Sequence, residues 1–128
     1  MLGRILIFVS LFTFLSGCAR KEPVEGGIYY TRSERGDFTV LKVLKVDDRG
    51  VHVRLYSNRF PEPPTHIDES TLYIAGLDRR PDEELGMGHL PLLKQSFAGW
   101  RAKFIQKSKV SEEELDGYRI WQEGGGYW

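Results

Sequence analysis

A chain of 128 residues has room for one domain, and one of that size can bury a core without disulfides. Its 18 basic and 18 acidic side chains cancel, which argues against nucleic acid as a partner and against adhesion to an acidic membrane by charge alone. Aromatics at 12% and 14 glycines suit short strands joined by tight turns.

The chain opens on a positive residue, Arg4, followed by the apolar run Ile5 to Leu15, interrupted only by Ser10 and Thr13. That run of 11 residues has the length of a secretory signal. It is too short to cross a bilayer core of about 30 Å, which takes about 20 helical residues. Leu15-Ser16-Gly17-Cys18 follows, and Cys18 is the single cysteine of the chain. A lone cysteine in an exported protein calls for a role other than disulfide pairing.

Leu15-Ser16-Gly17-Cys18 resembles the lipobox of bacterial lipoproteins. The resemblance implies that residues 1–17 are a signal peptide cleaved before Cys18. It also implies that the Cys18 thiol takes a diacylglyceryl group through a thioether and becomes the lipid attachment site. One acyl chain holds a protein marginally, whereas two or three make a stable anchor. Ala19, in place of the aspartate that resembles an inner-membrane retention signal, leans by analogy toward the outer membrane, facing the periplasm. Residues 18–26, charged and containing Pro23, read as a lipidated tether. Residues 27–128 read as one β-rich domain.

Ile28 to Arg32 is a β-rich run, and the polar Ser33 to Asp37, with Gly36, reads as its hairpin turn. Phe38 to Val46 is a longer strand whose alternation breaks. Phe38 and Val40 share one parity, Leu41 and Val43 the other, and Leu44 and Val46 return to the first. Burial on both faces or a bulge that bends the strand explains this. Asp47 to Gly50 is a turn. Val51, Val53 and Leu55 then alternate with His52, Arg54 and Tyr56, which places the last three on the outward side. Ser57 to Ser70 holds three prolines and reads as an extended loop. Leu72 and Ile74 alternate within residues 71–75, predicting a fourth strand. Gly76 to His89 reads as a loop, Leu92 to Trp100 as a helical turn or two, and Arg101 to Gln106 as a fifth strand.

The last segment is a helix. Ser111 and Glu114 fit a capping box, and Glu112, Glu113 and Glu114 crowd the turn where the helix dipole favours negative charge. Leu115, Tyr118 and Trp121 form a face that can pack on a sheet, and Gly124 to Gly126 stop the helix. Gly117 inside it is unfavourable by about 1 kcal/mol relative to Ala. The expected fold is mainly β with helical elements: a small, strongly bent antiparallel sheet of about five strands with a C-terminal helix. Residues 27–106 resemble, by pattern, small SH3-like or Tudor-like barrels. An open sheet covered by the last helix gives a similar string.

No catalytic, metal or cofactor-binding motif is present. His52, His66 and His89 are too far apart in sequence for a local metal site and read as surface or loop residues. Adjacent acids at 47–48 and 82–84 read as solvated turns. The candidate partner-binding residues are His52, Arg54 and Tyr56, continuing into Arg59 and Phe60, because Tyr and Arg are favoured at hot spots. Tyr56 and Phe60 can equally cover the end of a barrel. Trp121, Tyr127 and Trp128 read as core cover. The leading function is a non-catalytic, lipid-anchored envelope module that binds a protein or peptide. The opening strand Gly27-Ile28-Tyr29-Tyr30 resembles that of some small barrel immunity proteins, and the resemblance implies neutralisation of a toxin arriving in the periplasm. The alternatives are a small envelope hydrolase using dispersed residues such as His52, His66 or Asp68, and a structural lipoprotein that maintains envelope integrity.

Overall fold

The computed structural model describes residues 22–127. The expected signal segment and lipobox, with Cys18, and Trp128 lie outside the described residues. Among the described residues no helix is long and apolar enough to cross a membrane.

The five strands are β1 (Gly27–Arg32), β2 (Phe38–Val46), β3 (Gly50–Leu55), β4 (Met87–Leu93) and β5 (Lys103–Lys107). They form one antiparallel sheet in the order β4-β3-β2-β1-β5. The sheet is open, with β4 and β5 as its edges. A short helix α1 (Lys94–Gly99) joins β4 to β5, and a single 3-10 turn (Glu113–Leu115) leads into the C-terminal helix α2 (Asp116–Glu123).

Both explanations of the broken alternation in β2 hold. Leu41 and Val43 join Tyr29, Val51, Val53 and Phe97 in one buried cluster, while Val40 joins Ile28 and Ile67 in a second. The strand therefore buries both faces. Its register against β3 shifts between Val43 and Lys45. One extra residue reverses the alternation, which is why Val46 packs with Leu41 and Val43 despite its parity. The first face is covered by α1 through Phe97, with Trp100 just beyond it. The second is covered at one end by Ile67 and Phe60 of the Pro-rich loop. At the other end α2 covers it through Tyr118 and Trp121, which pack edge-on against His52.

Two expectations fail at the fourth strand. Residues 72–75 alternate but form no strand. Two of their backbone N–H groups are taken by side chains: Tyr73 donates to Asn58 Oδ1 at 2.9 Å and Ala75 to Ser57 Oγ at 2.7 Å. The fourth strand is instead Met87–Leu93, predicted as loop and helix. It tolerates Pro91 because it is an edge strand, where a missing N–H interrupts no second ladder.

The chain is bonded to the sheet before β1 begins. Val24 N–H donates to the Tyr29 hydroxyl at 3.0 Å, and Gly26 N–H to Val43 O at 2.7 Å. Gly26 has φ of +83° and lies so close to Ser108 O that a Cβ would stand 2.2 Å from it. Only glycine fits there.

The helix start is as expected. Ser111 N–H donates to Glu114 Oε1 at 2.9 Å, and Glu114 N–H to Ser111 Oγ at 3.2 Å, the reciprocal pair of a capping box. The glycines end the helix as expected, with Gly124 N–H donating to Ile120 O and Gly126 N–H to Trp121 O, both at 3.0 Å.

Candidate functional site

His52 is fully buried, so it offers no surface to a partner and is neither the outward-facing nor the surface residue its polarity suggested. The side of β3 that carries it is roofed by α2. Its Nε2 lies 3.0 Å from Asp47 Oδ2 and its Nδ1 lies 2.9 Å from His89 Nε2. A carboxylate only accepts, so with His52 neutral its proton sits on Nε2 and Nδ1 accepts from His89. The order of donation is then His89 to His52 to Asp47. Tyr127 closes the cluster, its hydroxyl 3.0 Å from His52 Nε2, and the rings of His52 and His89 stack at 5.1 Å.

Electrostatics follow from this enclosure. Burial, then the neighbouring His52, pulls His89 down to about 4. Burial, then the Asp47 charge, pushes the Tyr127 phenol up to about 12. Burial is the largest effect on Asp47 and opposes its ionisation. Donation from His52 and from the Arg49 and Gly50 amides together outweighs it and holds the carboxyl below the usual range. The Asp–His–His chain can share protons, but its closest partners are ring faces and phenols. Among the described residues no group of three His, Cys, Asp or Glu side chains is placed to hold a metal ion. The other hydrolytic candidates stand apart from this chain. His66 is exposed, and the Asp68 carboxylate accepts from the N–H and hydroxyl of Ser70, capping the short 3-10 turn at 69–71.

The remaining recognition candidates fall in two clefts that share Tyr73. The larger, about 570 Å³, is lined by Arg54 and Tyr56 with Lys42, Glu69 and Glu114. The smaller, about 390 Å³, is lined by Arg59 and Phe60 with Asp37, Arg80 and Glu83. Tyr73 is 42% exposed, and its hydroxyl bonds Glu83. The alternation of residues 71–75 predicts a strand and so hides the open position of Tyr73.

Not every candidate is equally available. Arg59 donates from Nε to Asp37 Oδ2 at 2.6 Å and from Nη1 to Asp82 O at 3.0 Å, which pins the 80s loop against the first hairpin. Phe60 exchanges both backbone hydrogen bonds with Phe38, at 2.8 and 2.9 Å, and packs on the second core cluster. Tyr56 packs there too, and burial, then the Glu114 charge, lifts its phenol to about 12. The cover role foreseen for Tyr56 and Phe60 is therefore what their side chains perform. Arg54 is half-buried, with Nη1 3.9 Å from Glu114 Oε2, and Tyr73 is the most open aromatic of the two clefts.

Comparison of the chain with protein-family models, with curated proteins and with solved structures finds no match.

Proposed function

We propose that the protein is a lipid-anchored module of the bacterial envelope that binds a protein or peptide without catalysis. The observation that carries the binding role is the pair of clefts meeting at Tyr73. Each is lined by arginine and aromatic side chains, the types enriched where proteins recognise one another, with carboxylates beside them. The larger sets Lys42, Arg54 and Lys109 against Glu69, Glu113 and Glu114, and the smaller sets Arg59 and Arg80 against Asp37, Asp82 and Glu83, so both present charges of either sign. The matching partner is of mixed charge rather than a polyanion. The anchor rests on Leu15-Ser16-Gly17-Cys18 directly after the apolar run.

A photo-reactive phenylalanine placed at Tyr73 of the full-length protein, irradiated in cells, tests the binding role. A discrete cross-linked product is expected at Tyr73 and not at Leu77, which is 93% exposed but outside both clefts. Equal labelling at both positions, or none, removes the proposal. The anchor is tested separately. Cys18→Ser is expected to abolish palmitate incorporation, and continued labelling overturns that part.

A further inference from the structure

A third concavity, of about 580 Å³, lies on the other side of the molecule's first core cluster, beneath the point where the chain enters the sheet. Its floor is apolar: Tyr29, Phe97, Ala98, Ala102 and Phe104. Phe104 is 52% exposed despite packing edge-on against Tyr29. Lys94, Arg101 and Lys103 stand on its rim. One carboxylate opposes them, Glu22, 3.9 Å from Lys94 in an exposed pair that contributes little. The rim is therefore a local excess of cations on a chain that is neutral as a whole.

The wall of this groove is Glu22, Pro23 and Val24. Val24 and Gly26 are bonded to the sheet, so the entering chain is fixed at the groove's edge. Cys18 is four residues before Glu22, and four residues reach about 14 Å at full extension. Arg20 and Lys21, within that reach, add two more positive charges. A lipid on Cys18 thus holds the groove about a Debye length or two from the bilayer, where charges at the surface are still felt. Tethering makes the contact intramolecular, so even a weak surface interaction is populated.

We propose that this groove docks on the acidic phospholipid surface of the leaflet that holds Cys18, an inference that rests on the lipid-anchor reading. The rim cations meet lipid phosphates, and the apolar floor, with Phe104 at its edge, meets the outer acyl region. Docking on this side turns Tyr73 and its clefts into a defined orientation relative to the membrane.

The test uses the full-length lipidated protein in vesicles of phosphatidylethanolamine and phosphatidylglycerol. Lipidation leaves no free thiol, so Ala98→Cys or Leu77→Cys each introduces one labelling site for a fluorophore. Nitroxide-headgroup lipids are expected to quench the probe at Ala98 several-fold more than at Leu77. Phosphatidylcholine vesicles, or high salt, are expected to remove the difference. So is the triple substitution Lys94→Gln, Arg101→Gln, Lys103→Gln, with Lys103→Glu alone giving a partial loss should the triple variant misfold. Mass spectrometry of the same sample separates the two ideas. A free Cys18 thiol overturns the anchor and the docking with it. A lipidated chain quenched equally at both positions, or equally in phosphatidylcholine, overturns the docking alone.

Discussion

Both carboxylate oxygens of Glu114 lie 3.1 Å from Nζ of Lys42. Lys42 projects from the middle of β2 and is only 4% exposed; Glu114 belongs to the capping box that starts the last helix. One acidic side chain therefore caps the start of a helical segment and neutralises a buried ammonium, with Lys109 O accepting from the same ammonium at 2.6 Å. The burial of Glu114 opposes its ionisation, but Ser111 N–H and Lys42 together keep its carboxyl below the usual range.

Removing one member of this pair leaves the other enclosed and uncompensated. Lys42→Met is expected to destabilise the domain by about 2–4 kcal/mol in urea titrations. Lys42→Met combined with Glu114→Gln is expected to recover part of that loss, since glutamine retains a capping oxygen and carries no charge. Additive losses in the double variant contradict a direct pair.

Stability falls as pH drops through the window set by His89. Its folded pKa is about 4, against about 6.5 for an unperturbed histidine. Between those values the unfolded chain binds the proton and the folded one does not, so the stabilisation complete above pH 6.5 drains away toward pH 4. Allowing for partial exposure, the loss is about 1–2 kcal/mol. Asp47, whose folded pKa is lowered, adds a further loss at still lower pH. His89→Gln retains a donor for His52 and is expected to flatten the slope between pH 7 and 4.5. An unchanged slope assigns the effect elsewhere.

Two helical glycines predict opposite outcomes for the same substitution. A Cβ on Gly117 would stand 2.6 Å from the His89 Cβ, whereas one on Gly99 meets nothing within 4 Å. Gly99→Ala is expected to raise stability by about 0.5–1 kcal/mol. Gly117→Ala is expected to lower it by about 1–3 kcal/mol, overpacking outweighing the gain in helix propensity. Thermal unfolding of both variants is sufficient. A stabilised Gly117→Ala rules out close packing of α2 on β4.

A Cβ on Gly50 would lie 1.8 Å from the Tyr127 hydroxyl and 2.5 Å from Leu92 O. Gly50→Ala is therefore expected to displace Tyr127, leaving Asp47 and His52 more open to water. The Tyr127 phenol, held at about 12, is expected to titrate nearer 10 in that variant, read by ultraviolet difference absorbance. An unshifted phenol means that Tyr127 is seated by other contacts.

Alternation and turn chemistry are local, and the elements that depend on them were legible. β1, β2, β3, the helix start at Ser111 and the glycine stop all follow from neighbours in sequence. The β2 bulge was legible too, because a single extra residue leaves its mark on the order of apolar side chains. The fourth strand was not. Gly86, Gly88 and Pro91 disguise it, and its pairing depends on β3, nearly forty residues away. Residues 71–75 carried the pattern of a strand, but Ser57 and Asn58 took the hydrogen bonds a ladder needs. The polar company of Arg54 and Tyr56 on its side of the strand predicts an outward His52. Two signals spoke against that: an aspartate five residues earlier, and a helix with Tyr118 and Trp121 on one face that had to cover something. Of the cleft-lining residues, Arg54 is legible from the alternation of β3, and Tyr73 is not, because its exposure is fixed by where the Pro-rich loop ends.

The two margins of an open sheet are invitations to polymerise, since each offers a row of backbone groups to any extended peptide. Here one margin carries Pro91, which has no amide hydrogen to give, and the other carries Lys103 and Lys107, which repel a second copy laid alongside. Molecules crowded together at high concentration should for that reason stay separate rather than grow into fibres.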